Sequence, residues 1–257
     1  MPYKQVFVRT YPSSAVGSRD LGDLLELLPD GRLNIRLAAA PEVVDIGAHE
    51  AIQSTVILAG DHAFQDAETP DGRFRLAIES LLHQDVTEFW LIHTDKANGK
   101  YKRLKLYTEW IEKGHTPPRV AVSPGGSFFL ADDSGTVRLY STPHMVEMGA
   151  FQVAHANTEN RIIALAVSTD ESLIAGLSSW KDIVLYSVPN RRVAFVRQIK
   201  DGVGWYDPTR ALILITGNAD AIVTVGVSRK ASQDETNLSV NAFRFVPLNA
   251  ALSAAKP

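Results

Sequence analysis

Short runs of alternating apolar and polar residues, separated by turn-forming clusters, recur along the chain. Residues 3–9 read as a strand with Val6, Phe7 and Val8 at its apolar centre. Residues 12–20 (PSSAVGSRD) are a loop by composition. Residues 21–28 hold five leucines and fit helix or strand equally. Pro29-Asp30-Gly31-Arg32 then signals a turn: Pro fixes φ, Asp bonds back to the backbone, and Gly takes a positive φ. Leu33, Ile35 and Leu37 alternate with Asn34 and Arg36, the period of a strand with one buried face.

The same tetrapeptide returns at Pro70-Asp71-Gly72-Arg73, again followed by alternation at Phe74, Leu76 and Ile78. Further on, Val120 and Val122 lead into the turn Ser123-Pro124-Gly125-Gly126. A second strand (Phe128, Phe129, Leu130), a polar tip (Asp132-Asp133-Ser134-Gly135) and a third strand (Val137, Leu139, Tyr140) follow. In the next unit, Ile163, Leu165 and Val167 precede Thr169-Asp170-Glu171-Ser172, and Leu173, Ile174 and Ala175 form the second strand. Its tip is Ser178-Ser179-Trp180-Lys181-Asp182, with strands at 183–186 and 193–196 beyond it. The last unit has Val203-Gly204-Trp205-Tyr206 before a weaker turn signal, Asp207-Pro208-Thr209-Arg210. Strands at 212–216, 222–227 and 240–246 follow, with a polar excursion at 232–237.

Taking Pro29, Pro70, Pro124, Thr169 and Pro208 as equivalent gives intervals of 41, 54, 45 and 39 residues. Their mean is about 45, within the range of propeller blades. The long interval contains residues 100–113, read as an outer strand plus a linker. Dense short strands with little helical periodicity mean an all-β fold. The expectation is a β-propeller of about five four-stranded blades over residues 1–248, with strand 3–9 available to close it against the C-terminal blade. A sandwich with coincidental spacing is the alternative. The Ala-rich residues 249–257 are expected to be a disordered tail.

Composition narrows the chemistry. With 257 residues, 45% hydrophobic and 21% charged, the chain can build a core. A net charge of −3 argues against a general nucleic-acid binder. The absence of cysteine excludes disulfides, thiolate catalysis and cysteine-ligated zinc. No apolar run is long enough for a membrane helix, and residues 1–14 lack a signal-peptide h-region, so a cytoplasmic protein is the default. No phosphate-binding glycine loop, dinucleotide fingerprint or nucleophile elbow occurs. The seven histidines make no metal-ligand spacing, and no cofactor or metal is expected.

Residues 114–142 carry a resemblance. Gly114-His115, Ser123-Pro124-Gly125-Gly126 and Asp133-Ser134-Gly135-Thr136-Val137-Arg138-Leu139 resemble a WD-repeat blade, with Tyr140-Ser141 where Trp-Asp would stand. The other units keep only the turns and the strand rhythm. The resemblance implies the propeller fold and a structural hydrogen-bond network holding His115 and Asp133. It implies no shared reaction.

Binding is therefore the leading functional expectation: a non-enzymatic scaffold for a protein partner, of the kind an immunity protein or an assembly adaptor provides. In a four-stranded blade, the hairpin between strands two and three shares a face with the connection into the next blade. On that face the pattern gathers Asp85, Asp132, Trp180, Lys181, Asp182 and Asp220, with His155 and Asp201 on the connections. Trp180 leads, because exposed tryptophans are enriched at binding hot spots. It could instead fold back as a packing lid. Trp205 reads as buried, and Trp90 and Trp110 as ordinary sheet residues. Two alternatives remain. Asp132, Asp133, Asp182, Asp201 and Asp220 could supply the carboxylate pair of a glycosidase-like hydrolase or a carbohydrate-binding propeller. Lys96, Lys100, Lys102, Arg103 and Lys105, interleaved with Tyr101 and Tyr107, could hold a nucleic-acid strand, although lysines also protect an edge strand from unwanted pairing.

Overall fold

A computed structural model of the chain describes residues 3–15, 21–46, 55–59, 66–110, 118–133, 135–154, 160–200, 206–216, 221–229 and 236–245. Among these described residues the fold is all-β apart from one helical turn, α1 (Leu21–Leu24), and a short 3-10 segment (Ser13–Ala15). Five antiparallel sheets form, the blades of a propeller fold of about five blades. The chain divides into two compact units, residues 1–60 with 163–257 and residues 61–162.

The second unit holds two regular blades. One is ordered β6 (Asp66–Glu68), β7 (Phe74–His83), β8 (Val86–Asp95), β9 (Lys100–Trp110). The other is β10 (Arg119–Val122), β11 (Phe128–Asp133), β12 (Thr136–Ser141), β13 (Glu147–Gln152). Phe74, Leu76, Leu91, Val120, Phe129, Ala131 and Tyr140 bury together as the core of this unit.

The first unit holds three sheets. The leucine run at 21–28 resolves into α1 and β2 (Leu25–Leu27), which pairs with β3 (Arg32–Arg36), and β3 with β4 (Pro41–Asp45). This sheet has three strands, because the next strand in sequence, β5 (Thr55–Ala59), lies antiparallel beside β14 (Ile162–Val167) instead. Sheet four therefore runs β17 (Arg192–Gln198), β16 (Asp182–Ser187), β15 (Leu173–Ser178), β14, β5. Sheet five runs β18 (Tyr206–Ile215), β19 (Ala221–Arg229), β20 (Thr236–Phe245), β1 (Tyr3–Pro12). The N-terminal strand closes that sheet, from Tyr3 opposite Phe245 to Pro12 opposite Asn237.

One device recurs at the first hairpin of four blades. A Ser or Thr ends the first strand, and its hydroxyl accepts the N–H of the residue five places on. The pairs are Thr69 with Phe74 (3.0 Å), Ser123 with Phe128 (3.1 Å), Ser168 with Leu173 (3.0 Å) and Thr216 with Ala221 (2.9 Å). In each pair the first residue's own N–H donates to the second residue's carbonyl. Thr69 and Ser168 also donate their hydroxyls to Asp71 and Asp170, both at 2.6 Å, so each hydroxyl works as donor and acceptor together. The two PDGR turns show what that hydroxyl decides. Gly31 and Gly72 sit at φ +80° and +70° and bond back alike. Leu28, which has no hydroxyl, closes onto Arg32 by backbone alone, whereas Thr69 reaches one residue further to Phe74.

This device corrects the sequence reading of the last blade. Asp207 to Arg210, expected as its first turn, are part of strand β18, whose pairing to β19 shifts between Tyr206 and Ala211. The equivalent turn is the one closed by Thr216 and Ala221. The Pro at 208 misled because strand irregularities accept proline as readily as turns do.

A second joint links the two blades of the 61–162 unit. Buried His93, on β8, stacks on Phe74 (5.6 Å between centroids) and meets Phe129 edge-on. Its Nε2–H donates to the Thr142 carbonyl at 2.6 Å. The Thr142 hydroxyl in turn donates to the Gly126 carbonyl at 2.8 Å. A Cβ on Gly126 would stand 2.9 Å from Pro70 Cδ, so the first turns of the two blades abut closely. Among the described residues no helix is long and apolar enough to cross a membrane.

Two expected outcomes follow from these joints. Ser168→Ala strands the buried Leu173 N–H and should cost about 1–3 kcal/mol in urea unfolding. Burial holds the His93 pKa below the usual imidazole value, with the Thr142 bond opposing in part. The folded state thus keeps His93 neutral, while the unfolded chain takes up a proton below about pH 6.5. Stability should be constant above that pH, fall below it, and level off beneath the folded pKa; His93→Phe should flatten that part of the profile.

Candidate partner-binding hairpins

The hairpin between the second and third strands of a blade presents its tip at one end of that blade. In sheet four this tip is a tight turn. Lys181 N–H donates to the Ser178 carbonyl at 2.9 Å. The Ser178 hydroxyl accepts the Asp182 N–H and donates to Asp182 Oδ2, both at 3.0 Å. Lys181 takes a left-handed φ of +68°, and its carbonyl accepts the Ile199 N–H at 2.9 Å. Ser178, Ser179 and Lys181 are buried, whereas Trp180 is 37% exposed. The backbone of the turn is thus fixed from both sides, and the indole is its most exposed side chain. Asp182 and Lys181 are both expected as partner contacts; here Asp182 is hydrogen-bonded to Ser178 and Lys181 is buried.

The equivalent tip between β11 and β12 is organised by charge. Buried Arg119 holds Asp132 Oδ2 through Nη2 at 2.8 Å and Nε at 3.3 Å, and Nη2 also donates to the Ile162 carbonyl. Asp132 Oδ1 accepts the Gly135 N–H at 3.3 Å. Asp133 takes the neighbouring cation, Arg138 Nε, at 3.0 Å, and that hydrogen bond raises the Arg138 pKa. The expectation placed Asp133 in the scaffold and Asp132 toward a partner. Both are braced, and Asp132 is the more enclosed of the two. Register explains it: Arg119 stands directly across from Asp132 in the β10–β11 ladder, a pairing invisible in linear sequence.

The β7–β8 hairpin is longer. Its ladder reaches His83 opposite Val86, and Asp85 sits exposed at the tip beside Gln84, which has φ +37°. Counted from the first-turn partner residues Phe74 and Phe128, His83 lies four residues beyond the position of Asp133, about 13 Å of extra strand. His115, His155, Asp201 and Asp220 lie outside the described residues. Asp220 belongs to the connection between β18 and β19, the first hairpin of its blade. Asp85, Asp132 and Asp182 each lie at the second-to-third-strand hairpin of their own sheet.

A feature the sequence reading passed over lies on sheet β6–β9. Trp90, taken for an ordinary sheet residue, stands across from Lys105 in the β8–β9 ladder. The Arg103 guanidinium lies 4.3 Å and the Lys105 ammonium 5.8 Å from its ring centroid. Arg103 also pairs with Glu79 at 2.7 Å, Lys105 with Glu88, Lys96 with Glu68 at 2.8 Å, and Lys102 donates to the His144 carbonyl at 2.6 Å. Four of the five cations proposed for a nucleic-acid strand are thereby engaged within the protein. The signal that would have found Trp90 is Asn98-Gly99, a hairpin turn pair with Gly99 at φ +69°, which sets the register of β8 against β9.

No protein-family model matches the chain, and no curated protein matches it. A solved structure titled "Kluyveromyces lactis Hsv2 complete loop 6CD" is similar over 84% of each chain, at 11% identity and a TM-score of 0.36.

The Arg119–Asp132 pair sets an expected outcome. Arg119→Ala leaves a buried carboxylate without its cation and should destabilise by about 3–5 kcal/mol in chemical unfolding. Arg138→Ala, at a half-exposed pair, should cost well under half as much.

Proposed function

We propose that this protein is a non-enzymatic propeller scaffold that captures a protein partner, with the Trp180 hairpin as its central contact. The observation carrying this reading is the contrast within one turn: an indole 37% exposed, between neighbours that are buried and hydrogen-bonded. A preformed tip loses little freedom on docking, and a large flat side chain buries much area for few rotatable bonds. Asp182 acts as the brace of the tip and Lys181 as its left-handed hinge; neither needs to touch the partner. Asp85 is exposed at the tip of its own hairpin, in the other unit. Asp132 serves the scaffold. His155, Asp201 and Asp220, outside the described residues, are not part of this contact as proposed. An immunity protein or an assembly adaptor would use such a surface, and a cytoplasmic setting fits a chain without cysteine.

Trp180→Ala is the test, read by affinity capture with mass spectrometry beside thermal unfolding. A protein retained by the parent chain should be lost by at least about 10-fold, as for a hot spot, with the melting temperature unchanged. Unchanged capture removes the hairpin from the interface. A fall in melting temperature of the size expected for a truncated core aromatic assigns Trp180 to packing instead.

A further inference from the structure

The outer part of sheet β6–β9 carries a second surface, independent of the Trp180 hairpin. Thr94 and Tyr101 are cross-strand partners, as are Ile92 and Arg103, and the two pairs lie side by side on one face. With Glu79 from β7 they line an open groove of about 410 Å³. That is the small end of the roughly 300–1,000 Å³ typical of small-molecule sites. Tyr101 is 71% exposed, an unusual position for an aromatic ring on a regular strand. Arg103 is held on two sides, by Glu79 at 2.7 Å and by the Trp90 ring at 4.3 Å, so its guanidinium is oriented before any ligand arrives.

Chemistry limits what would fit. An anion would have to compete with Glu79, which already neutralises Arg103, and Glu88 likewise neutralises Lys105. An apolar ligand would cover Arg103, Glu79 and Thr94 without replacing their water, an uncompensated desolvation. Pairing of an extended peptide along the β9 edge is opposed by Lys100, Lys102, Arg103 and Lys105 on that strand. A neutral polyhydroxylated ring meets every condition. Its C–H face stacks on a phenol ring, and each hydroxyl both donates and accepts. Adjacent hydroxyls can thus accept from the Arg103 guanidinium, donate to the Glu79 carboxylate, and exchange a bond with Thr94. We propose that this groove is a binding site for a neutral saccharide, with Tyr101 as the stacking platform and the Glu79–Arg103 pair as the hydroxyl clamp.

The test is a titration of the full chain with maltose, cellobiose, lactose and chitobiose, followed by ligand-observed NMR. Saturable millimolar binding of at least one is expected. Tyr101→Ala and Arg103→Met should each weaken it at least about 10-fold, and Trp180→Ala should leave it unchanged. Because Tyr101 is so exposed, Tyr101→Ala should keep the parent melting temperature, which separates lost binding from lost fold. No saturable binding of any of the four sugars overturns the proposal, as does binding that Tyr101→Ala leaves intact. Parallel titrations with inorganic phosphate and with a poly-glutamate peptide complete the comparison. Saturable binding of either that depends on Arg103, in place of sugar binding, assigns the groove to anions and also overturns it.

Discussion

One hydroxyl at the end of the first strand governs how each of four blades begins. It accepts the N–H of the second strand's first residue and so fixes the width of the turn and the register of everything after it. A one-residue change in that width would turn each following side chain to the opposite face of its sheet. The hydroxyl is buried or nearly so in all four blades, where an unmet partner would be expensive. The blade that lacks it, with Leu28 in the place of Thr69, closes one residue earlier from an identical PDGR turn. The turn tetrapeptide therefore sets the bend, and the residue before it sets the phase.

Much of the architecture was legible for this reason. Period-2 alternation and recurring turn signals located four of the five first hairpins, the outer strand at residues 100–110 and the closing strand at the N-terminus. The fifth turn was misplaced because Pro208 was aligned with the prolines of earlier first turns, whereas the stretch between Thr216 and Ala221 holds no proline. The deciding signal, Thr216 five residues ahead of Ala221, is a hydroxyl that composition does not emphasise. The departure of β5 from the first sheet left no local trace, since pairing to β14 depends on residues more than a hundred positions away.

Side-chain roles were less legible than strands. Charged residues at hairpin tips look alike in sequence, yet Asp85 is exposed, Asp133 holds Arg138 and Asp132 is enclosed with Arg119. What separates them is the cross-strand neighbour, and that depends on register. The same holds for aromatics. Trp180 stood out because it interrupts a polar tip, whereas Trp90 gained its cationic neighbours only when β9 folded beside β8.

The interleaving of the two units also has a temporal side. Residues 61–162 are continuous in sequence, and their hairpins join strands that emerge one after another. The other unit is split: β1 must wait for β20, and β5 for β14. During synthesis the inserted unit can complete its contacts while β1 and β5 remain without partners, their backbone donors and acceptors open to any neighbouring chain. Loop closure across such separations is slow. Crowded expression therefore threatens those two early strands more than any other part of the molecule.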